Sequence, residues 1–215
     1  MLRFFVCVLY LVPTITDKLL LLYKRTYCMI QPMISTCLSL LTSPLSFWTA
    51  LSRKRMRQSK DFLNRFVYPM MCLVVLSAFV GQCLYVEDLT AESVIKRILT
   101  TSLSLYVGFH MSCFLLNKLL SSHYFKRRDN LPKVHYFIGN LNCFIYTMMI
   151  VLNLLPGFFF LGIAYVCVAY MVWQSLGVYF RIDKDSLIFF ILSALAILAG
   201  VPYALHILLS IMIPN

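Results

Sequence analysis

From Phe66 onward, long uncharged apolar runs alternate with short charged clusters. This is the pattern of helices crossing a bilayer in succession, since about 20 mostly apolar residues cover the hydrocarbon core. Five runs reach or approach that length, at about 66–86, 98–120, 138–155, 158–180 and 187–213. Pro156-Gly157 is a strong turn signal and divides 138–180 into a helical hairpin. Pro202 interrupts the last run, where its missing N–H predicts a kink. The expected fold class is an all-α membrane protein, a compact bundle of five transmembrane helices preceded by a cytoplasmic amphipathic helix.

That preceding helix comes from a different pattern. Ser43-Pro44 joins an N-cap residue type to proline at the first helical position. Leu45, Phe47, Trp48 and Leu51 then supply an apolar face that runs into Arg53, Lys54, Arg55, Arg57 and Lys60. Residues 33–65 therefore read as a basic amphipathic lead-in helix at the membrane interface. A solvated basic linker is the alternative, and it leaves the aromatic side chains exposed. The apolar stretch at 4–13 is too short to span, and no small-x-small cleavage site follows it. Residues 1–32 are a poorly defined extension; one reading places the natural start at Met29 or Met33.

Composition agrees with the membrane class. Apolar residues make up 61% of the chain and charged residues 13%, against about 25% charge in a soluble domain. The net charge of +11 sets topology under the positive-inside rule. With five spans and a cytoplasmic N-terminus, seventeen of the 19 Lys and Arg fall inside and two, Lys96 and Arg97, fall outside. Asn215 is then external, and the bacterial cytoplasmic (inner) membrane is the expected location. No aromatic-and-basic module accompanies the charge, so no nucleic-acid partner is expected.

Small residues at four-residue spacing predict close helix contacts. Ser104, Gly108 and Ser112 share one face of the second span, which is expected near the centre of the bundle. Ser77 with Gly81, and Ala196 with Gly200, repeat the spacing. The intramembrane polar candidates are His110, Asn142, Asn153 and Gln174, with Gln82 and His206 beside them. An ionisable or amide group in a bilayer is a functional candidate by default. His110 as a proton relay or metal ligand needs a second group, and no acid or second histidine stands at i±3 or i±4. A hydrogen bond to a neighbouring helix is the simpler role, for His110 and for the amides. His206, one turn from Pro202, is placed to satisfy a carbonyl freed by that proline. The eight cysteines stand singly without a C-x-x-C pair, so they read as small hydrophobes. No G-x-S-x-G, glycine-rich phosphate loop or H-E-x-x-H is present. No catalytic residue, cofactor or metal is expected.

Several local motifs follow one another in a characteristic order. LLTSPLSFWTAL stands at 40–51, a first span carries Pro69, and a second ends in N-K-L-L at 117–120. A helix resumes near Tyr136, L-L-P turns at 154–156, and a span from Tyr165 to Gly177 closes on W-Q-S-L-G. The loop RIDKDS then leads to a span with V-P at 201–202. Over about residues 38–213 this layout resembles the Yip (Ypt-interacting-protein) family of polytopic membrane proteins, in particular its bacterial-like branch. The resemblance implies five spans and a non-enzymatic role. Eukaryotic members carry D-L-Y-G-P before the first span and act in vesicle traffic with Rab-type GTPases. Here the region reads LTSPLSFW, without the acid or that tyrosine, and no GTPase partner is carried over.

The function expected is that of a scaffold or membrane-organising, trafficking-type factor. Trp48, Arg53, Lys54, Arg55, Arg57, Lys126, Arg127 and Arg128 are the candidate contacts to anionic lipid head groups or a protein partner, with oligomeric state left open. The bland reading is that these charges only set topology. The rival function is a small transporter or channel subunit, which requires His110, Asn142, Asn153 and Gln174 to converge on one polar path.

Overall fold

The computed structural model describes residues 31–53, 59–86, 90–122, 131–157, 161–180, 182 and 186–212. Among them there is no strand. The chain bends by 120° between helix α1 (Gln31–Thr42) and α2 (Pro44–Arg53). They are followed by α3 (Ser59–Tyr85), α4 (Ala91–Ser121) and α5 (Leu131–Leu154). Helix α6 (Leu161–Ser175) is prolonged by a π-helical turn, Leu176–Phe180, and α7 is Leu187–Met212. Helices α3, α4, α5 and α7 are each long and apolar enough to cross a membrane, and the bent α1–α2 pair passes the same test taken together. The first three residues of the expected fourth span, 158–160, lie outside the described residues.

Local chemistry explains where these helices begin and bend. Pro44 opens α2, and the Ser43 carbonyl accepts the Phe47 N–H at 3.1 Å. Thr90 caps α4, its hydroxyl accepting from the Ser93 N–H at 3.2 Å. Pro132 stands in the first turn of α5, where a missing N–H costs nothing. Pro69 and Pro202 lie inside α3 and α7, and each follows a π-helical turn by two residues: Leu63–Val67 before Pro69, and Ala196–Gly200 before Pro202. A widened turn relieves the clash between the proline ring and the carbonyl one turn back, so both helices continue past their prolines. The expected kink at Pro202 is therefore taken up as a π-turn within one span.

The bundle centre is α5. Every residue from Phe137 to Phe144 is buried, on all sides of the helix, and half of its most apolar stretch is enclosed, against 17% for α7. The second span, α4, also lies near the centre as expected, with 44% of its most apolar stretch enclosed. The small-residue faces have two outcomes. Ser104, Gly108 and Ser112 are buried, and Gly108 lies against Pro202 of α7. Ser77 and Gly81 pack on Asn153 of α5. Ala196 and Gly200 are exposed instead, and a Cβ at Gly200 meets only open space. His206 is exposed as well; the donor that reaches the proline-broken turn is Ser112, whose hydroxyl gives its proton to the Ile197 carbonyl at 3.3 Å.

The segment before α3 differs most from the expected lead-in. Met33 and Cys37 of α1 lie beside Cys143 and Thr147 in the middle of α5. Helix α2 then turns back, so that Trp48 packs on Phe137, nearer the start of α5. Residues 31–53 thus form a sharply bent helical hairpin whose first arm lies against the middle of α5 and whose second arm leads back toward the start of α5. Of the apolar face that suggests an interfacial helix, Trp48 and Leu51 are spent on the protein core, whereas Leu45 is exposed.

Candidate functional site

Basic side chains gather at one end of the bundle. Arg53 closes α2 there, one turn beyond Trp48. Lys60 and Arg65 are exposed in the first turns of α3, and Phe62 between them stacks on Tyr136 of α5 with ring centroids 4.3 Å apart. Lys133 is in the first turn of α5, and Lys118 is in the last turn of α4. Glu92, Lys96 and Arg97 lie at the opposite end of α4. Lys54, Arg55, Arg57, Lys126, Arg127 and Arg128 lie outside the described residues.

Beneath this basic end is an aromatic block. The Trp48 ring sits 5.2 Å from that of Phe137 and 5.4 Å from that of Tyr179. Phe180 meets Phe137 edge-on at 4.8 Å and Phe190 of α7 at 5.7 Å. The Lys133 ammonium lies 4.8 Å from the Tyr179 ring centroid, within cation–π range. The Tyr179 hydroxyl donates to the Lys133 carbonyl at 2.9 Å. The end of α6 is thereby fastened to the start of α5, which makes the two helices antiparallel. Trp48 is 0% exposed, so it does not meet lipid head groups; the reason is that α2 folds back onto α5 rather than lying along the bilayer surface.

A second polar group joins α3, α4 and α5. The Tyr68 hydroxyl and His110 Nε2 are 3.3 Å apart, and the Tyr106 ring meets His110 edge-on at 4.7 Å. His135 of α5 stands across from His110 with ring centroids 6.4 Å apart. His135 is buried, and its Nδ1 is enclosed without a hydrogen-bond partner among the described residues. His135 escapes a reading by hydropathy because it precedes the apolar run, two residues after Lys133. Among the described residues no group of three or more His, Cys, Asp or Glu comes together.

The remaining intramembrane candidates do not converge. Asn142 donates to the Tyr146 hydroxyl of its own helix at 3.4 Å, and Asn153 to Ser77 of α3 at 3.0 Å. The two asparagines stand eleven positions apart, or about 16 Å along a helix axis. Gln174 is half-buried on α6. Two cavities lie beside α3, one of about 550 Å³ against α4 and one of about 620 Å³ against α1 and α5. Both are walled almost wholly by apolar side chains, and exposed residues such as Leu76 and Phe79 in the first and Leu38 and Val80 in the second form part of their rims. Comparison with protein-family models, with curated proteins and with solved structures found no match.

Proposed function

We propose that this protein is a non-enzymatic, multi-pass membrane scaffold that gathers anionic lipid head groups at the basic end of its bundle. The observation that carries this reading is the placement of Arg53, Lys60, Arg65, Lys118 and Lys133 at one end, where the neighbouring sequence adds Lys54, Arg55, Arg57, Lys126, Arg127 and Arg128. Each basic residue near an anionic surface contributes about 1 kcal/mol. The positive-inside rule assigns that end to the cytoplasm of a bacterial inner membrane, with the C-terminus outside. The order of motifs that resembles the Yip family favours the same membrane-organising, trafficking-type role.

The transporter or channel reading has less support. His110 and Asn153 are used at separate helix contacts and Asn142 within its own helix, and the two cavities offer acyl chains, not water, a favourable surface.

The test uses the full chain in nanodiscs of neutral lipid doped with pyrene-labelled lipid, read by energy transfer from tryptophan. Greater transfer to the anionic probe than to a neutral probe is expected, weakening at high salt. Replacing Arg53, Lys54, Arg55 and Arg57 together by Gln lowers the anionic preference by about tenfold or more. Equal transfer to both probes removes the lipid-gathering role.

A further inference from the structure

Helix α1 carries Cys37 to Cys143, 106 positions away on α5, and their sulfurs share a hydrogen bond at 3.3 Å. Both residues are buried, Cys143 completely. The Thr147 hydroxyl stands 3.4 Å from the Cys37 sulfur and donates to the Cys143 carbonyl at 2.8 Å, which fixes it in place. The Met33 carbonyl lies 3.7 Å from the Cys143 sulfur. Cys143 falls in the middle of the 24-residue α5, so the pair sits near the bilayer midplane. Cys37 and Thr147 also line the cavity of about 620 Å³, whose rim includes the exposed Ile34, Leu38 and Leu41. The thiols are thus out of reach of water but next to an opening on the hydrocarbon.

We propose that Cys37 and Cys143 are a dithiol–disulfide couple, oxidised by a bilayer-soluble quinone that reaches them through this cleft. One sulfur adds to a quinone ring carbon while its proton passes to a quinone oxygen. The second sulfur attacks the first, the S–S bond forms as the C–S bond breaks, and hydroquinone leaves with the second proton. Two electrons and two protons pass to the quinone, and no water is required. The sulfurs must close from 3.3 Å to about 2.05 Å, a shift that small rotations of the two side chains supply. The disulfide fastens the α1–α2 hairpin to α5. This goes beyond the lipid-gathering role and does not depend on it.

The experiment incubates the full chain in nanodiscs with a fully substituted, decyl-chain benzoquinone, then unfolds it in detergent and tags free thiols with a maleimide mass reagent. Six of the eight cysteines are expected to take the tag, with one hydroquinone formed per chain. Peptide mapping should join Cys37 to Cys143, and a membrane-impermeant oxidant at the same concentration should act at least tenfold more slowly. Cys37→Ser and Cys143→Ser should each abolish hydroquinone formation. Eight tagged thiols, a disulfide at another pair, a lasting quinone adduct, or equal rates with the impermeant oxidant overturns the proposal. The peptide map of the unsubstituted chain decides the matter even if a serine variant does not fold.

Discussion

Asn153 of α5 donates its side-chain amide to the Ser77 hydroxyl of α3 at 3.0 Å, one helical turn from the point where Gly81 lies against the Asn153 carbonyl. One turn further, the Tyr85 hydroxyl donates to the Leu154 carbonyl at 2.6 Å. Ser77, Gly81 and Tyr85 recur every four residues, so one stripe of α3 is zipped to the end of α5 by a hydroxyl, a bare Cα and a phenol. In a membrane, where apolar surfaces gain nothing by leaving lipid for one another, such a stripe is what holds two helices together.

Gly81→Ala should destabilise the bundle, because the added Cβ overlaps the Asn153 carbonyl oxygen and backbone has to move. Overpacking of this kind costs about 1–3 kcal/mol. Gly200→Ala, where the Cβ meets open space, should be neutral or slightly stabilising. Thermal unfolding of the two variants in the same detergent checks the contrast, and equal midpoints contradict the α3–α5 contact.

The Ser77–Asn153 bond itself is expected to be modest. A double-mutant cycle with Ser77→Ala and Asn153→Ala should give a coupling of about 0.6 kcal/mol, typical of hydrogen bonds between membrane helices. A coupling indistinguishable from zero places the two side chains apart.

Trp48 and Trp173, the two tryptophans of the chain, should behave oppositely. Trp48 is 0% exposed and Trp173 58%. In Trp173→Phe, the remaining Trp48 emission should be blue-shifted and little quenched by brominated acyl chains; in Trp48→Phe, Trp173 should be quenched strongly. Trp48→Ala should cost about 3–5 kcal/mol of stability, since it empties the space between Phe137 and Tyr179. Quenching of Trp48 by probes in the head-group region contradicts its place in the core.

The spans were legible in the sequence to the extent that they are apolar. The run near 66–86 lies inside α3 (Ser59–Tyr85) with Val86 just beyond, and 98–120 lies inside α4 (Ala91–Ser121). Each helix extends past its apolar part through polar turns such as SKDF and AESVIKR, which hydropathy does not count. Pro156-Gly157 ends α5 as its turn chemistry requires. The hairpin was not legible, because what determines it is distant: Cys37 and Trp48 find their partners at Cys143 and Phe137, about 100 residues along the chain. Seen locally, the Phe47–Trp48–Leu51 face suits the core of a protein as well as a membrane surface. The approach of His135 to His110 is hidden because His135 lies in the polar first turns of α5, ahead of its apolar run.

The proposed role rests on the basic segment after α2 sharing a face of the membrane with the basic loop between α4 and α5. The direct measurement is labelling by a membrane-impermeant maleimide of single cysteines at Gln58→Cys, Asn130→Cys and Asn215→Cys, in a cysteine-free chain in sealed vesicles. Positions 58 and 130 should react from the same side, and position 215 from the other. Positions 58 and 130 reacting from opposite sides separates the basic segments and contradicts the account.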